Sequence, residues 1–213
     1  MVKRTLFGMV AALAMITLAA LQVPSFAAVC SPPGEVVVTD PSGDGPTPAV
    51  DILDIAIQEV VAGLHAGKII VTMHVSSLAG TPSGLWAVEW RDGTGDNTTR
   101  LAMSACEGDA SFTYEYTTPE GTDSGSPDGG SYTTGGAIEW ILSRDKIGSP
   151  ADGETFQQIQ GIAIVWVPLD PLPGCLPQGG NDGAGQGQYT VGSCLVDAPT
   201  GRPPVALRLG AAR

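Results

Sequence analysis

The stretch DILDIAIQEVVAGLHAGKIIVTMHVS, Asp51 to Ser76, decides the fold. In its first part Leu53, Ile55 and Ile57 share one face, and Asp54, Ala56 and Gln58 share the other. In its last part Ile69, Val71, Met73 and Val75 face one way, against Ile70, Thr72 and His74. A period of two is the signature of a half-buried strand. AGLHAGK (62–68) between the runs predicts a turn, so the two strands form a hairpin.

Working outward, the same reading applies to EVVVT (35–39), GLWAVEW (84–90), RLAMSAC (100–106), SFTYEYT (111–117), AIEWILS (137–143) and IQGIAIVWV (159–167). Gly, Asp, Asn or Pro separate most of these runs, and the chain holds 29 Gly and 17 Pro. Helical periodicity of useful length is absent after residue 27. Short strands at such spacing predict an all-β fold, an antiparallel β-sandwich of jelly-roll or immunoglobulin-like type, in a single domain. The stretch PEGTDSGSPDGGSYTTGG (119–136) reads as turns, and Pro168 to Gly187 is too polar and too poor in β-formers to predict a strand. PPVALRL (203–209) predicts a last edge strand that Pro203 and Pro204 confine to its start.

Residues 1–27 have the form of an export signal: Lys3 and Arg4, an apolar segment, then Ser25-Phe26-Ala27. The expected division is a signal peptide, 1–27, and a sandwich domain, 28–213, bearing a disulfide-containing loop insertion at 168–195. Removal of the signal leaves 8 bases against 22 acids, a net charge of −14. Such a surface repels nucleic acid and anionic membranes and suits cations or a secreted life. The expected localisation is therefore extracellular.

Four cysteines, Cys30, Cys106, Cys175 and Cys194, follow the signal. An even count in an exported chain predicts two disulfides, and no close C-x-x-C spacing suggests zinc. Of the three connectivities, the local pairing Cys175–Cys194 with Cys30–Cys106 is the first expectation. It closes a loop of roughly 20 residues, worth ~3 kcal/mol.

Immediately before the hairpin, VTDPSGDGPTPAVDILD (38–54) crowds Asp40, Asp44, Asp51 and Asp54 around a Gly/Pro-rich turn. Hard oxygen ligands from a short loop are what Ca²⁺ takes, so these four are candidate calcium ligands. Aspartates also cap turns by accepting backbone N–H bonds, which is the alternative reading. Asp54 lies on the face opposite Leu53 and Ile55. RDGTGDN (91–97) and GGNDGAGQG (179–187), with Asp92, Asp96, Asn181 and Asp182, read as plain turns.

Trp86 and Trp90 fall on one strand face, with Val88 between them. Aromatic rings so placed either stack on sugar rings or fill a sandwich core. The same core reading applies to Trp140 and Trp166. Catalytic motifs are missing: the sequence has neither G-x-S-x-G nor H-E-x-x-H, and only His65 and His74 as histidines.

In order, the segments VTDPSGDGP…DILDIAIQE, KIIVTMHVSSL, GLWAVEW, GSYTTGGAIEWILSRDKIGSPADGETF and VDAPTG resemble a type of secreted bacterial accessory β-sandwich. Such domains are appended to extracellular peptidases and are similar to DOMON-like and family 9 carbohydrate-binding modules. The resemblance covers roughly residues 35–167, with a trace at 196–201. It implies a calcium-stabilised, non-catalytic module with a polysaccharide or protein partner, in which Asp40, Asp44 and Asp51 match the acidic positions. Two alternatives accompany it. One is haem binding of the DOMON type, using His65 or His74 with Met103. The other is carboxylate-dependent glycoside hydrolysis by a pair such as Glu89 and Glu139.

Overall fold

The computed structural model describes residues 28–80, 82–169 and 174–196. The expected export signal and the strand expected at 203–209 lie outside the described residues. The strands are β1 (Ala28–Val29), β2 (Glu35–Thr39), β3 (Ile52–Val60), β4 (Lys68–Val75), β5 (Gly84–Arg91), β6 (Thr98–Cys106) and β7 (Asp109–Thr118). They continue with β8 (Gly121–Gly125), β9 (Gly129–Tyr132), β10 (Ala137–Ser143), β11 (Thr155–Pro168), β12 (Cys175–Thr190) and β13 (Cys194–Val196). A 3₁₀ turn, Arg144–Ile147, interrupts them. No helix among the described residues is long and apolar enough to cross a membrane.

Two sheets result. One runs β1-β13-β3-β4-β10-β9, with β2 also paired to β3; the other runs β12-β11-β5-β6-β7-β8. Pairing is antiparallel except around β13, which lies parallel to β1 and β3. The chain is the expected all-β sandwich. Facing rows fill the space between the sheets: Ile55, Ile57, Val71, Met73, Ile138 and Trp140 from the first, Trp86, Val88, Trp90, Leu101 and Met103 from the second. Each such side chain is worth about 1.5–3 kcal/mol on burial.

The hairpin of β3 and β4 forms, with two departures from its alternation: Ala56, Gln58, Ile70 and Thr72 of the other face are buried as well, and the register changes at the start of β3. A register shift between Ile52 and Asp54 places Ile52 inside, fully buried, and leaves Leu53 only half-buried. A bulge of this kind reverses the faces that a strict period of two assigns.

The long polar segment is not a loop. Cys175–Thr190 forms β12, a strand of 16 residues paired along β11. Its alternation is carried by Asp182 and Ala184 instead of aliphatic residues, and it changes phase at the bulges opposite β11, beyond which Tyr189 is the buried residue. Small residues are required there because β12 closes against β2: a Cβ on Gly187 would stand 1.9 Å from the Val37 carbonyl oxygen. β8 and β9 likewise form inside the stretch read as turns. Every residue of β8 is exposed, so this edge strand needs no apolar alternation to announce it.

The disulfides are Cys30–Cys194 and Cys106–Cys175, with Cα atoms 5.3 and 5.8 Å apart. The expected pairing of Cys175 with Cys194 is overturned, for a geometric reason. A strand of 16 residues spans about 50 Å, which carries those two cysteines to opposite ends of the molecule. Cys106–Cys175 instead clasps the end of β6 to the start of β12.

A charged group stands at the end of the core. Glu59 follows Ile55 and Ile57 on the inward face of β3 and is 3 % exposed. Its carboxylate accepts hydrogen bonds from the Tyr189 hydroxyl at 2.8 Å, the Gly192 amide and the Arg144 guanidinium. Arg144 also reaches Asp152 at 2.8 Å and the Pro150 carbonyl at 3.3 Å. The segment SRDKIGSPADGE therefore folds over the sheet end to deliver one guanidinium to one buried carboxylate. Burial and the Glu59 charge together push the Tyr189 phenol well above its ordinary range.

Candidate metal centre

Of the four candidate aspartates, the fold brings two together and adds a fifth. Asp40 follows β2, and its amide donates to the Leu53 carbonyl at 2.9 Å, which fixes the chain where it leaves the sheet. Asp44 sits at the tip of the following loop, exposed. Asp182 comes from β12, more than 130 residues away, and its Oδ2 accepts the Ile52 amide at 2.8 Å. One carboxylate oxygen from each of Asp40, Asp44 and Asp182 lies within 4.8 Å of the others.

Asp51 is placed differently from the expectation. It is 4 % exposed, and its carboxylate accepts the Gly43 amide at 2.9 Å, the Gly45 amide at 3.3 Å and the Ser76 hydroxyl. The Ser76 hydroxyl bond, reinforced by the two amides against the cost of burial, holds its pKa below the ordinary carboxylate value. Asp51 is thus the brace that folds the loop, and it stands outside the group of three. Gly45 belongs to the same device, because a Cβ there would stand 2.6 Å from the Asp51 Cα. Asp54 is not brought to the cluster. It pairs with His74, Oδ1 to Nδ1 at 2.6 Å, on the outward face of its sheet.

The electrostatics of the cluster are unbalanced. Asp40 Oδ2 is buried and receives no hydrogen bond. Burial, then the charges of Asp182, Asp44 and Asp51, raise the Asp40 pKa. Among the described residues, no Lys, Arg or His forms an ion pair with any of the three carboxylates. At such separations like charges repel by about 3 kcal/mol per pair at an effective dielectric near 20. Three hard oxygen donors with one orphaned, buried oxygen suit a hard cation of flexible geometry, with other oxygens completing the shell.

The remaining candidates are separated by the sandwich. Trp86 and Trp90 are 0 % and 2 % exposed and offer no platform to a sugar. Trp86 Nε1 donates to the Ala49 carbonyl at 2.7 Å, and Trp90 stacks on Phe156 with centroids 5.2 Å apart. Their strand face is the inward one, where size and apolarity serve packing. Trp140 is core as read, but Trp166 lies on the outward face of β11, partly exposed. Met103 is fully buried between the sheets while His74 points outward, so the two cannot share an iron. Glu89 pairs with Arg100 on the outward face of one sheet, and Glu139 accepts from Ser131 on the outward face of the other. Sheets stacked about 10 Å apart keep those carboxylates from flanking one bond.

Asp92 shows what an acidic loop looks like when it is only a turn. It accepts from the Thr94 amide and hydroxyl, the Gly95 amide and the Asn97 side chain. Asp182 was legible only as a member of such a turn; its role depends on the strand that carries it to the first loop. Comparison with protein-family models, curated proteins and solved structures returns no match.

Proposed function

We propose that this chain is an exported, calcium-stabilised β-sandwich that serves as a non-catalytic binding or accessory module for an extracellular polysaccharide or protein. The observation that carries the calcium part is that Asp40, whose buried Oδ2 receives no hydrogen bond, brings a carboxylate oxygen within 4.8 Å of those of Asp44 and Asp182. A divalent ion there ties three segments together: the exit of β2, the loop braced by Asp51, and β12. Those segments close one edge of the sandwich, so the ion acts on the fold and not on a reaction. Two disulfides fit an oxidising compartment. The binding role rests on the resemblance to accessory sandwiches and on the strongly acidic surface, which disfavours anionic partners.

Thermal unfolding tests the site. An ion bound only by the native state stabilises by about 2.7 kcal/mol at a hundredfold excess over Kd. For a domain of this size that raises Tm by roughly 5–10 °C. EGTA lowers Tm and added Ca²⁺ restores it, whereas Asp44→Ala and Asp182→Asn variants lose most of the response. A melting curve indifferent to both EGTA and Ca²⁺ rejects the site.

A further inference from the structure

The outward face of the six-stranded sheet carries a groove of about 650 Å³ that the metal centre does not use. Its origin is a change in side-chain size. Ala102 and Ser104 of β6 and Thr113 of β7 form a shallow floor. Trp166 and Leu85 rise on one side, and Ser124 to Ser126 on the other. We infer that this groove binds a segment of neutral polysaccharide, an inference that rests on the polysaccharide branch of the proposed function and gives that branch its location.

The lining selects the ligand. Trp166 supplies a partly exposed aromatic ring, the group that covers the apolar face of a sugar. Arg100 lines the groove with its Nε 3.2 Å from Glu89 Oε1, an ion pair without a hydrogen bond, and its side chain stays 41 % exposed. Glu115 stands directly across the strand pair from Arg100 and adds a carboxylate acceptor. Planar donors and acceptors beside hydroxyl groups match the vicinal diols of a sugar. The charges of the groove nearly balance, while the chain carries a net charge of −12, so an anionic polymer is disfavoured and a neutral one is not.

Other occupants fit less well. An extended peptide adds to a free sheet edge through main-chain bonds. Here the floor lies in mid-sheet, where the backbones of β5, β6 and β7 are already paired with one another. The volume falls within the roughly 300–1,000 Å³ of ligand sites, and the groove crosses the strands from β11 towards β8.

Affinity electrophoresis of the full chain in Ca²⁺ tests this, in gels containing hydroxyethyl cellulose, xylan or soluble starch. The wild type is retarded by at least one of these polymers. Trp166→Ala and Arg100→Gln weaken that retardation at least about tenfold, and so does Thr113→Trp, which fills the groove from an exposed strand position. Unchanged melting temperatures separate these effects from unfolding. If the wild type is retarded and Thr113→Trp is retarded equally, the groove assignment is overturned and polysaccharide binding survives. If none of the three polymers retards the wild type, both fall, whatever the response to EGTA.

Discussion

Replacing Glu59 by Ala removes the acceptor for three donors at the end of the core. The Tyr189 hydroxyl, on a residue 1 % exposed, then loses its carboxylate acceptor, as does the Gly192 amide. An orphaned buried donor costs about 1–3 kcal/mol, and breaking a buried ion pair by removing one partner costs about 3–5 kcal/mol. Arg144 moderates the loss, because its side chain is 31 % exposed and keeps Asp152 at 2.8 Å. The expected cost is therefore near the lower end, about 3 kcal/mol. Tyr189→Phe deletes one donor and leaves Glu59 with two, for about 1 kcal/mol. The double variant costs less than the sum, since Phe at 189 has no hydroxyl to strand, with a coupling of about 1–2 kcal/mol. Urea unfolding at pH 7 with disulfides intact measures all three. A Glu59→Ala cost under about 1 kcal/mol, or strict additivity in the cycle, would show that the buried network is not what holds the 3₁₀ segment to the sheet.

Two further outcomes follow from single contacts. Burial alone raises the Asp128 pKa, but Lys68 at 2.7 Å, the Ser143 hydroxyl and amide, and Lys146 overcome it and hold the carboxylate far below its ordinary 3.8. Its stabilisation is present above the unfolded pKa and is lost as pH falls towards the folded one. Asp128→Asn therefore flattens the acid limb of a Tm profile between about pH 2 and 5, and an unaltered limb contradicts the assignment. Gly187→Ala places a methyl group against the Val37 backbone and costs about 2–3 kcal/mol, whereas Gly185→Ala, with nothing within 4 Å, is near neutral; equal melting temperatures for the two refute the close approach.

The strands that bury aliphatic residues were legible because burial imposes a period of two on residue type. Ile55, Ile57, Val71 and Met73 behave as their spacing requires. β12 was hidden for the opposite reason: where two backbones approach closely, selection favours Gly and Ala, and the same residues mark turns. The candidate metal centre was half legible. Asp40 and Asp44 belong to one loop and announce each other, but Asp182 arrives through strand pairing, which no local pattern encodes. Asp51 and Asp54 were misread because a carboxylate looks the same in sequence whether it caps a turn, meets a histidine or awaits an ion. Trp86 and Trp166 show the same degeneracy, since which side of a sheet a tryptophan occupies depends on register with its neighbours.

The Cys30–Cys194 bond joins residues 164 positions apart, one ahead of the first long strand and one after the last. Tension applied to the chain before Cys30 and after Cys194 first strips β1 and the end of β13, which lie outside the bond, and then passes through that covalent link, leaving the ladders between the two cysteines unloaded. A protein tethered at both ends in this way bears load as a short staple would, with its sheets slung beneath as an unstressed cargo until the disulfide is reduced.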